Sequence, residues 1–401
     1  MIQNHSERSH ALLSASQAER WLNCPPSARL QEGIPDKPSE YAAEGTAAHE
    51  LAEASIKLSV VPNLPEEEFE AAERQRKRIK AGKYYNAEME QAISSYVDYV
   101  CDQYFQARNR SQDTVIMVEQ KLDFSEWVPE GFGTGDVVII SDGVLEIIDL
   151  KYGKGVPVKA EGNPQMRLYA LGAWAAYNWL YDIQEVQMTI VQPRLDSIST
   201  ASMTIEELLE WGEKVKPIAQ LAWEGKGEFK AGSHCRWCKV KATCRARAEE
   251  IMKALQYEFQ DPALLSDEEI GSILFIADQL RAWAKDVEEY AMERALQGAR
   301  IPQWKLVEGK SNRMVTDPEA LIDRLVKAGY KKEQITETKL VGLSKLEKIV
   351  PKRRLAELAG ELIVKPPGKP VLVPETDSRP ELNSLEHDFQ NIDFKEDDLN
   401  V

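Results

Sequence analysis

The sequence predicts an α/β or α+β fold in which helices flank a central sheet. Apolar residues recur every three or four positions through 65–108, whereas β-branched runs dominate 114–152. A strand–helix–strand order follows from 144 to 192, and that order is typical of a sheet covered by helices. With 401 residues the chain exceeds what one core usually covers, so we expect two domains.

The first part of the chain is predicted to be helical. Residues 1–13 are expected to form a flexible N-terminus, and 14–30 (SASQAERWLNCPPSARL) a short helix that two prolines end just after Cys24. The alanine-rich residues 39–58 and the strongly periodic residues 65–108 predict longer helices.

The strands of the sheet are predicted to follow the helical part. Ser141–Asp142–Gly143 supplies a tight turn between two β-branched runs, so those runs form a hairpin. Pro164 is suited to the first position of the next helix. The predicted elements are strands at 114–122, 136–140 and 144–152, a helix at 164–181, a strand at 185–194 and a helix at 202–223.

The C-terminal part is predicted to be a helical, partly basic accessory region at 262–364. It begins with a helical pair at 262–297 and continues from 301 as a lysine-rich helical segment. Residues 365–401 predict a proline-rich linker followed by an acidic, disordered tail.

Charge is unevenly distributed along the chain, whose net charge is −16. Residues 375–401 carry nine acidic and two basic side chains, whereas 301–370 carry 15 basic and nine acidic ones. Because a local basic face can bind phosphates, the acidic total does not exclude a nucleic-acid partner.

Several classes of protein are disfavoured by what the sequence lacks. No apolar run reaches the roughly 18 residues of a membrane span, and the start MIQNHSERSH does not resemble a signal peptide. We therefore expect a cytoplasmic protein with no membrane partner.

The five cysteines are an odd number, which in such a chain favours metal or redox chemistry over disulfides. No phosphate-binding G-x-x-x-x-G-K-[ST] loop is present, so ATP-driven unwinding is not expected.

A carboxylate–lysine group is predicted at the sheet. Asp136 begins one strand of the hairpin, and alternation places Asp149 and Lys151 on one face at the end of the other strand. Converging carboxylates repel each other and need a cation, and oxygen ligands suit Mg²⁺ or Mn²⁺. A nearby lysine can orient or deprotonate water, or stabilise developing negative charge. The motif D-x-K alone is common at solvated strand edges, so further residues are needed to favour phosphodiester chemistry.

Three residues outside the hairpin strengthen this hypothesis. Gln165 and Tyr169 lie four apart at the start of the next helix and therefore share one face. His49 is a possible nitrogen ligand within an alanine-rich helix, EGTAAHE. A lone histidine there is more often structural, but together with the other residues it favours a metal site.

The motifs G-T-A-A-H, G-T-G-D, I-I-D-L-K and Q-M-R-L-Y together resemble the RecB-type branch of the PD-(D/E)XK nucleases. The resemblance covers about residues 14–250 and implies a restriction-endonuclease-like mixed sheet in a nuclease domain at 14–258. It implies that His49, Asp136, Asp149 and the main-chain carbonyl of Leu150 bind the metal. Lys151 would be the catalytic base or stabiliser, with Gln165 and Tyr169 as supporting residues. Glu119 is a further candidate with a weaker match.

A second group of residues is formed by four cysteines. Cys235, Cys238 and Cys244 give a C-x₂-C-x₅-C spacing, with Cys24 far upstream. Four thiolates can hold Zn²⁺ or a [4Fe–4S] cluster, and spacing alone leaves both open. One distant and three clustered cysteines are unusual for a zinc ribbon, which favours iron–sulfur. Cys101 lies at an apolar helical position and is expected to be a buried free cysteine.

The cysteine layout also resembles that of AddB-type nucleases and their CRISPR-associated relatives. In those proteins the cluster joins the two ends of the nuclease domain, so the resemblance implies a structural [4Fe–4S] cluster here. The whole chain further resembles a family encoded by bacteriophages and prophages. The segments that carry this resemblance are RWLNCPPSARL near the start and KPPGKPVLVPETDSRP near the end. A bacterial host cytoplasm is then the expected location.

The function expected from these resemblances is a metal-dependent DNA exonuclease in phage recombination, repair or DNA processing. DNA, a phage single-strand annealing or binding protein, and further copies of the chain are the predicted partners. Two alternatives stay open: an inactive nuclease fold that binds DNA or protein as a scaffold, and a zinc-stapled regulatory protein.

Overall fold

The computed structural model describes residues 11–374 apart from 36–38, 253–266, 310–312, 337–339, 365, 367 and 369. The chain divides into two units, Met1–Leu265 and Ser266–Val401. The first unit has the predicted architecture, because its described residues form a five-stranded mixed sheet flanked by helices.

Helices occupy the chain before the sheet, as predicted. The first predicted helix is broken in two, because Pro25 and Pro26 interrupt it after Asn23. The side chain of Asn86 accepts a hydrogen bond from the main-chain N–H of Met89 and so caps the longest of these helices. The helices are α1 (Ala18–Asn23), α2 (Ser27–Leu30), α3 (Glu40–Val60), α4 (Glu66–Lys80) and α5 (Ala87–Arg110). Among all the described helices, none has the length and apolar character that crossing a bilayer requires.

The five strands of the sheet lie side by side in chain order. They are β1 (Val115–Asp123), β2 (Phe132–Ser141), β3 (Val144–Leu150), β4 (Glu185–Gln192) and β5 (Ser197–Thr204). Strands β3 and β4 are parallel, and the other neighbouring pairs are antiparallel. Helix α6 (Pro164–Tyr177) crosses between the parallel strands. The sequence prediction of a strand–helix–strand unit is therefore confirmed.

The predicted hairpin is present between β2 and β3. Its turn residues Asp142 and Gly143 both have positive φ, 48° and 76°, as a two-residue hairpin turn requires. Strand β2, however, begins at Phe132 and not at Asp136. The extra residues pair with β1 beyond the end of β3, so Asp136 lies in the middle of its strand.

The edge strand β5 was not predicted, and the helix predicted from residue 202 begins only at Ile205. The strand is rich in serine and threonine, and its residues alternate between half-buried and exposed, so it lacks an apolar run. Helix α7 (Ile205–Glu224) is separated from β5 by a capping box formed by Thr204 and Glu207.

Alternation along β2 divides the core of the first unit into two clusters. Val138 and Ile140 pack on one face with α6 and α7, whereas Val137 and Ile139 pack on the other with α3 and α5. Leu13 is fully buried in the first cluster, although it was expected to lie in a flexible N-terminus. Residues 1–10 lie outside the described residues.

The second unit mixes helices with short strands. It begins with α9 (Asp267–Leu296), which is one continuous helix where a helical pair was predicted. Strands also interrupt the region predicted to be helical or linker, because β6 (Trp304–Glu308) pairs with β9 (Pro370–Pro374). The remaining elements are α8 (Arg245–Met252), which ends the first unit, and, in the second, β7 (Met314–Val315), α10 (Pro318–Lys327), α11 (Lys332–Ile335), α12 (Leu343–Ile349), α13 (Lys352–Ala359) and β8 (Ile363–Val364). The predicted acidic tail lies outside the described residues.

Glu146 on β3 is a buried carboxylate that we expect to lower stability at neutral pH. Its side chain is 3% exposed, and Gln187 Nε2 donates a hydrogen bond to it at 3.1 Å. Burial raises the pKa of Glu146, so the folded state binds this proton more tightly than the unfolded state does. The ionised form therefore destabilises the fold above the folded-state pKa, and this effect vanishes below the unfolded-state pKa.

Glu146→Gln is expected to raise the free energy of unfolding at pH 8 by on the order of 1 kcal/mol and to leave it unchanged near pH 4. Thermal unfolding at both pH values measures the difference. Glu185→Gln, at an exposed position of β4, is the control and should show no such pH dependence. Equal effects of Glu146→Gln at both pH values would contradict the expectation.

Candidate functional site

The predicted site residues meet where β2, β3 and α3 approach one another. Asp136 connects the strands, because its Oδ2 accepts a hydrogen bond of 2.7 Å from the main-chain N–H of Leu150. Its Oδ1 lies 3.3 Å from Nδ1 of His49 on α3. The main-chain N–H of Lys151 donates to the carbonyl of Val191 at 2.9 Å, which continues the β3–β4 pairing past Leu150. The carboxylate of Asp136 and the end of β3 are thereby held together.

Gln165 connects the predicted lysine to the predicted carboxylate. Its Oε1 accepts a hydrogen bond from Lys151 Nζ at 3.0 Å, and its Nε2 donates to Asp149 Oδ1 at 3.0 Å. Lys151 Nζ also lies 2.9 Å from Oδ2 of Asp149. The Nε2 group of Gln165 further donates to the hydroxyl of Tyr169 at 3.4 Å. The structure thus brings together the four residues that the D-L-K and Q-M-R-L-Y motifs supplied.

Two glycines of the G-T-G-D motif allow this close packing. A Cβ atom on Gly133 would lie 2.8 Å from Cε1 of Tyr169, and one on Gly135 would lie 2.9 Å from Cδ1 of Leu122. Contacts that short do not occur, so a larger residue at either position would displace its neighbour. Gly133 therefore lets α6 approach β2 with Tyr169 in place.

A second set of ligand atoms lies beside this network. One ligand atom each from His49, Glu119 and Asp136 lies within 4.8 Å of the others. Glu119 stands directly opposite Asp136 between β1 and β2, because Val118 pairs with Val137 and Gln120 with Gly135. The pair formed by Glu119 and Asp136 is itself absent from the ladder.

The backbone of Glu119 explains that interruption. Its φ is 54°, in the left-handed region that costs a residue with a side chain about 1–2 kcal/mol. Such outliers persist where the surrounding structure holds them, often at functional sites. Glu119 is therefore part of the candidate site, although its match to the RecB-type pattern is weak.

The electrostatics of the site indicate a deficit of positive charge. Burial and repulsion from Asp136 raise the pKa of Glu119 to about 7. Burial also raises the pKa of Asp149, which is 2% exposed, although Lys151 opposes the shift. Burial disfavours the charged form of His49, but Asp136 and Asp149 outweigh it and raise the pKa of His49. Three carboxylates thus face one lysine and one histidine.

The residues present fit a divalent cation. Three carboxylates and one ammonium leave two negative charges uncompensated when the imidazole is neutral, as a ligating histidine is. Oδ2 of Asp149 is a buried oxygen that accepts no hydrogen bond of regular geometry, although Lys151 lies beside it. His49, Glu119, Asp136 and Leu150 also line a small cavity of about 10 Å³. Oxygen ligands with one imidazole suit Mn²⁺ and Mg²⁺.

Arg194 fastens the segment after Lys151 to two helices. Its guanidinium lies 4.5 Å from the ring centre of Tyr152. It also lies 3.2 Å from Glu44 on α3 and 3.3 Å from Glu88 on α5. Because Glu44 precedes His49 on α3, this contact helps to hold the helix that carries His49 near the end of β3.

The four predicted cluster cysteines lie in the first unit at the places where its two ends meet. Cys24 directly follows α1, which contacts the 3₁₀ turn Ser233–Trp237 that contains Cys235. Cys238 follows this turn, and Cys244 precedes α8. Gln31 Oε1 accepts a hydrogen bond from the main-chain N–H of Lys239 at 2.8 Å and so joins the two ends.

Two cationic side chains lie against the cysteines. Arg20 is only 5% exposed; burial lowers the pKa of Arg20, and the nearby Cys238 and Cys24 partly offset this. Burial opposes ionisation of Cys24, but hydrogen bonds from His234 and from the main chain outweigh it and lower the pKa of Cys24. Both cations suit a metal–thiolate centre, which is anionic.

The sulfurs of the four predicted cluster cysteines are not gathered as closely as the ligands of one zinc ion. A tetrahedral zinc ion with Zn–S bonds of about 2.3 Å holds its sulfurs about 3.8 Å apart. Among the described residues, no three cysteine sulfurs lie within 4.8 Å of one another. Cys101 lies on α5 and is half-buried rather than fully buried.

A family model described as "Protein of unknown function (DUF2800)" matches residues 10–380. The chain belongs to this family. Among solved structures, the one described as the crystal structure of SSO0001 is similar to 57% of this DUF2800 protein and 96% of that chain, at 12% sequence identity. The TM-score of this match is 0.23.

Some residues of the DUF2800 site were not found from the sequence. His234 is adjacent to Cys235, and Arg20 precedes Cys24 by one helical turn, so both spacings offered a signal. Arg194 offered none, because its partners Glu44 and Glu88 are remote in sequence. Tyr96, which lines the cavity beside His49, also gave no signal that separates it from an ordinary core tyrosine.

Proposed function

We propose that this DUF2800 protein is a metal-dependent DNA exonuclease of the PD-(D/E)XK type that hydrolyses phosphodiester bonds. The observation that carries the proposal is the network in which Gln165 holds both Lys151 and Asp149 beside the His49–Glu119–Asp136 set. A solvated strand edge does not explain a buried Asp149 that accepts a hydrogen bond from Gln165, or the close approach of His49, Glu119 and Asp136 beside it.

His49, Asp136 and Asp149 would hold Mg²⁺ or Mn²⁺, with Glu119 and the carbonyl of Leu150 as further oxygen ligands. The chemistry supplied by such a cation is stabilisation of negative charge on a phosphoryl oxygen and a lowered pKa of coordinated water. Asp136 is held in position for this task by the main-chain N–H of Leu150, and Asp149 by Gln165.

Lys151 would act as an electrostatic stabiliser of the phosphate or as a proton donor. Burial disfavours its charged form, but Asp149 and Asp136 outweigh it and raise the pKa of Lys151. The amino group therefore carries its proton, which suits charge stabilisation better than general-base catalysis. Gln165 aims this amino group by accepting its hydrogen bond.

Cys24, Cys235, Cys238 and Cys244 would hold a structural [4Fe–4S] cluster that joins the ends of the nuclease domain. This part of the proposal is supported by the contact between α1 and the turn that contains Cys235, and by the buried Arg20. A colourless protein with one zinc ion per chain would contradict it.

The test is cleavage of DNA by protein purified without oxygen. End-labelled linear duplex and a covalently closed circle are incubated with Mn²⁺ or with EDTA. We expect release of label from the linear DNA only with Mn²⁺, and an intact circle. If the protein binds DNA in Mn²⁺ without cleaving it, the protein is a binding scaffold and not an enzyme. If it cuts the circle, it is an endonuclease and not an exonuclease.

A further inference from the structure

Tyr96 on α5 carries a buried hydroxyl group that lacks a hydrogen-bond partner. Its side chain is 1% exposed, and no donor or acceptor in the described part of the chain reaches its OH. Buried polar groups are normally paired, so such a group calls for an explanation, of which an absent water or ion is one.

Tyr96 belongs to the wall of the cavity at the candidate cation site. Tyr96 lines that cavity together with His49, Glu119 and Asp136. Besides burial, the charges of Asp136, Asp149 and Glu119 raise the pKa of Tyr96, so all three carboxylates lie near the ring. The phenol is consequently a neutral hydroxyl that lies near carboxylates and donates a hydrogen bond to none of them.

A hydrated cation would supply the partner that the hydroxyl lacks. Mg²⁺ and similar cations dehydrate reluctantly and keep several waters when they bind proteins. A buried water needs two to four polar partners, and a phenol beside carboxylates offers both a donor and acceptors. The cavity, the ligand atoms and the unpaired hydroxyl together match this requirement.

We propose that Tyr96 is a positioning residue of the cation site, whose hydroxyl hydrogen-bonds a water of the divalent cation held by His49, Glu119 and Asp136. This rests on the proposed function, because it assumes that the site binds Mg²⁺ or Mn²⁺. Hydrogen bonds from outside the ligand set typically contribute 10- to 100-fold to metal affinity. The hydroxyl of Tyr96 therefore raises the affinity for the cation and does not stabilise the metal-free fold.

Tyr96→Phe tests the inference, with Tyr104→Phe as the matched control. Tyr104 lies on the same helix and is equally buried at 1% exposed, but its hydroxyl accepts a hydrogen bond from Arg108. Mn²⁺ affinity is measured by calorimetry, and the melting temperature is measured with EDTA and with Mn²⁺. We expect Tyr96→Phe to weaken Mn²⁺ binding about 10-fold. Its metal-free melting temperature should equal or exceed that of the wild type, because no hydrogen bond is lost.

The outcomes separate this inference from the proposed function. Wild-type affinity in Tyr96→Phe would overturn the inference and leave the cation site intact. A lower metal-free melting temperature in Tyr96→Phe than in Tyr104→Phe would also overturn it, because the hydroxyl would then have a partner without metal. A wild-type protein that binds no Mn²⁺ would overturn the cation site itself and the inference with it.

Discussion

Lys151→Ala is expected to lower the rate of Mn²⁺-dependent DNA cleavage by about 10³-fold. The substitution removes the one ammonium group that the structure places against Asp149 and Gln165. The negative charge that develops on the phosphate would then lack this stabilisation. The rate is measured as release of end label from linear duplex DNA under single-turnover conditions. Circular dichroism and the visible spectrum of the cluster verify that the variant is folded.

The neighbouring Lys154 provides the control for this prediction. It is an exposed lysine three residues further along the chain, and it pairs with Glu88 outside the site. Lys154→Ala removes the same charge from the same stretch of chain and should change the rate less than about threefold. If both variants cleave DNA like the wild type, the assignment of Lys151 is wrong.

Cys24→Ser is expected to remove the proposed iron–sulfur cluster and to destabilise the first unit. Cys24 is the only one of the four predicted ligands in the N-terminal part of the chain, so its loss opens a loop of about 210 residues. Because binding of a structural metal centre contributes directly to folding, we expect the free energy of unfolding to fall by more than about 4 kcal/mol. Iron content, the visible absorption band and urea unfolding measure the effect.

Cys101→Ser is the matched substitution for the cluster prediction. Cys101 is half-buried on α5 and is not one of the four predicted ligands. The Cys101→Ser variant should retain the iron, the absorption band and nearly all of the free energy of unfolding. Retention of a full cluster in Cys24→Ser would instead show that another residue completes the ligand set. Loss of zinc rather than iron in that variant would favour the zinc-stapled alternative.

Local sequence patterns sufficed to predict the centre of the first unit. The hairpin follows from Asp142 and Gly143, whose backbone conformations match a two-residue turn between β-branched runs. The contact between Asp149 and Lys151 follows from alternation along a strand, and the shared face of Gln165 and Tyr169 from helical spacing. Each of these relations spans only a few residues, so the backbone period determines it.

Elements without a strong period were predicted less well. Strand β5 carries serine and threonine at an edge and has no apolar run, and Pro370–Pro374 looks like linker until it pairs with Trp304–Glu308. In both cases the strand exists because a distant partner supplies its hydrogen bonds. A period within the segment cannot reveal such a partner.

The sequence by itself determined which chemical groups are available: a histidine, three acidic residues, a lysine, an amide and four cysteines at recognisable spacings. Only the tertiary structure decided how they are arranged. It turns Glu119 towards Asp136 through a left-handed backbone, and it places Tyr96 from α5 against the same cavity. It also brings His234 to Cys24, 210 positions away in the chain. These contacts join residues far apart in the chain, and they arise from pairing of β1 with β2, from packing of α3 and α5 on the sheet and from the meeting of the two ends of the first unit, so no local pattern encodes them.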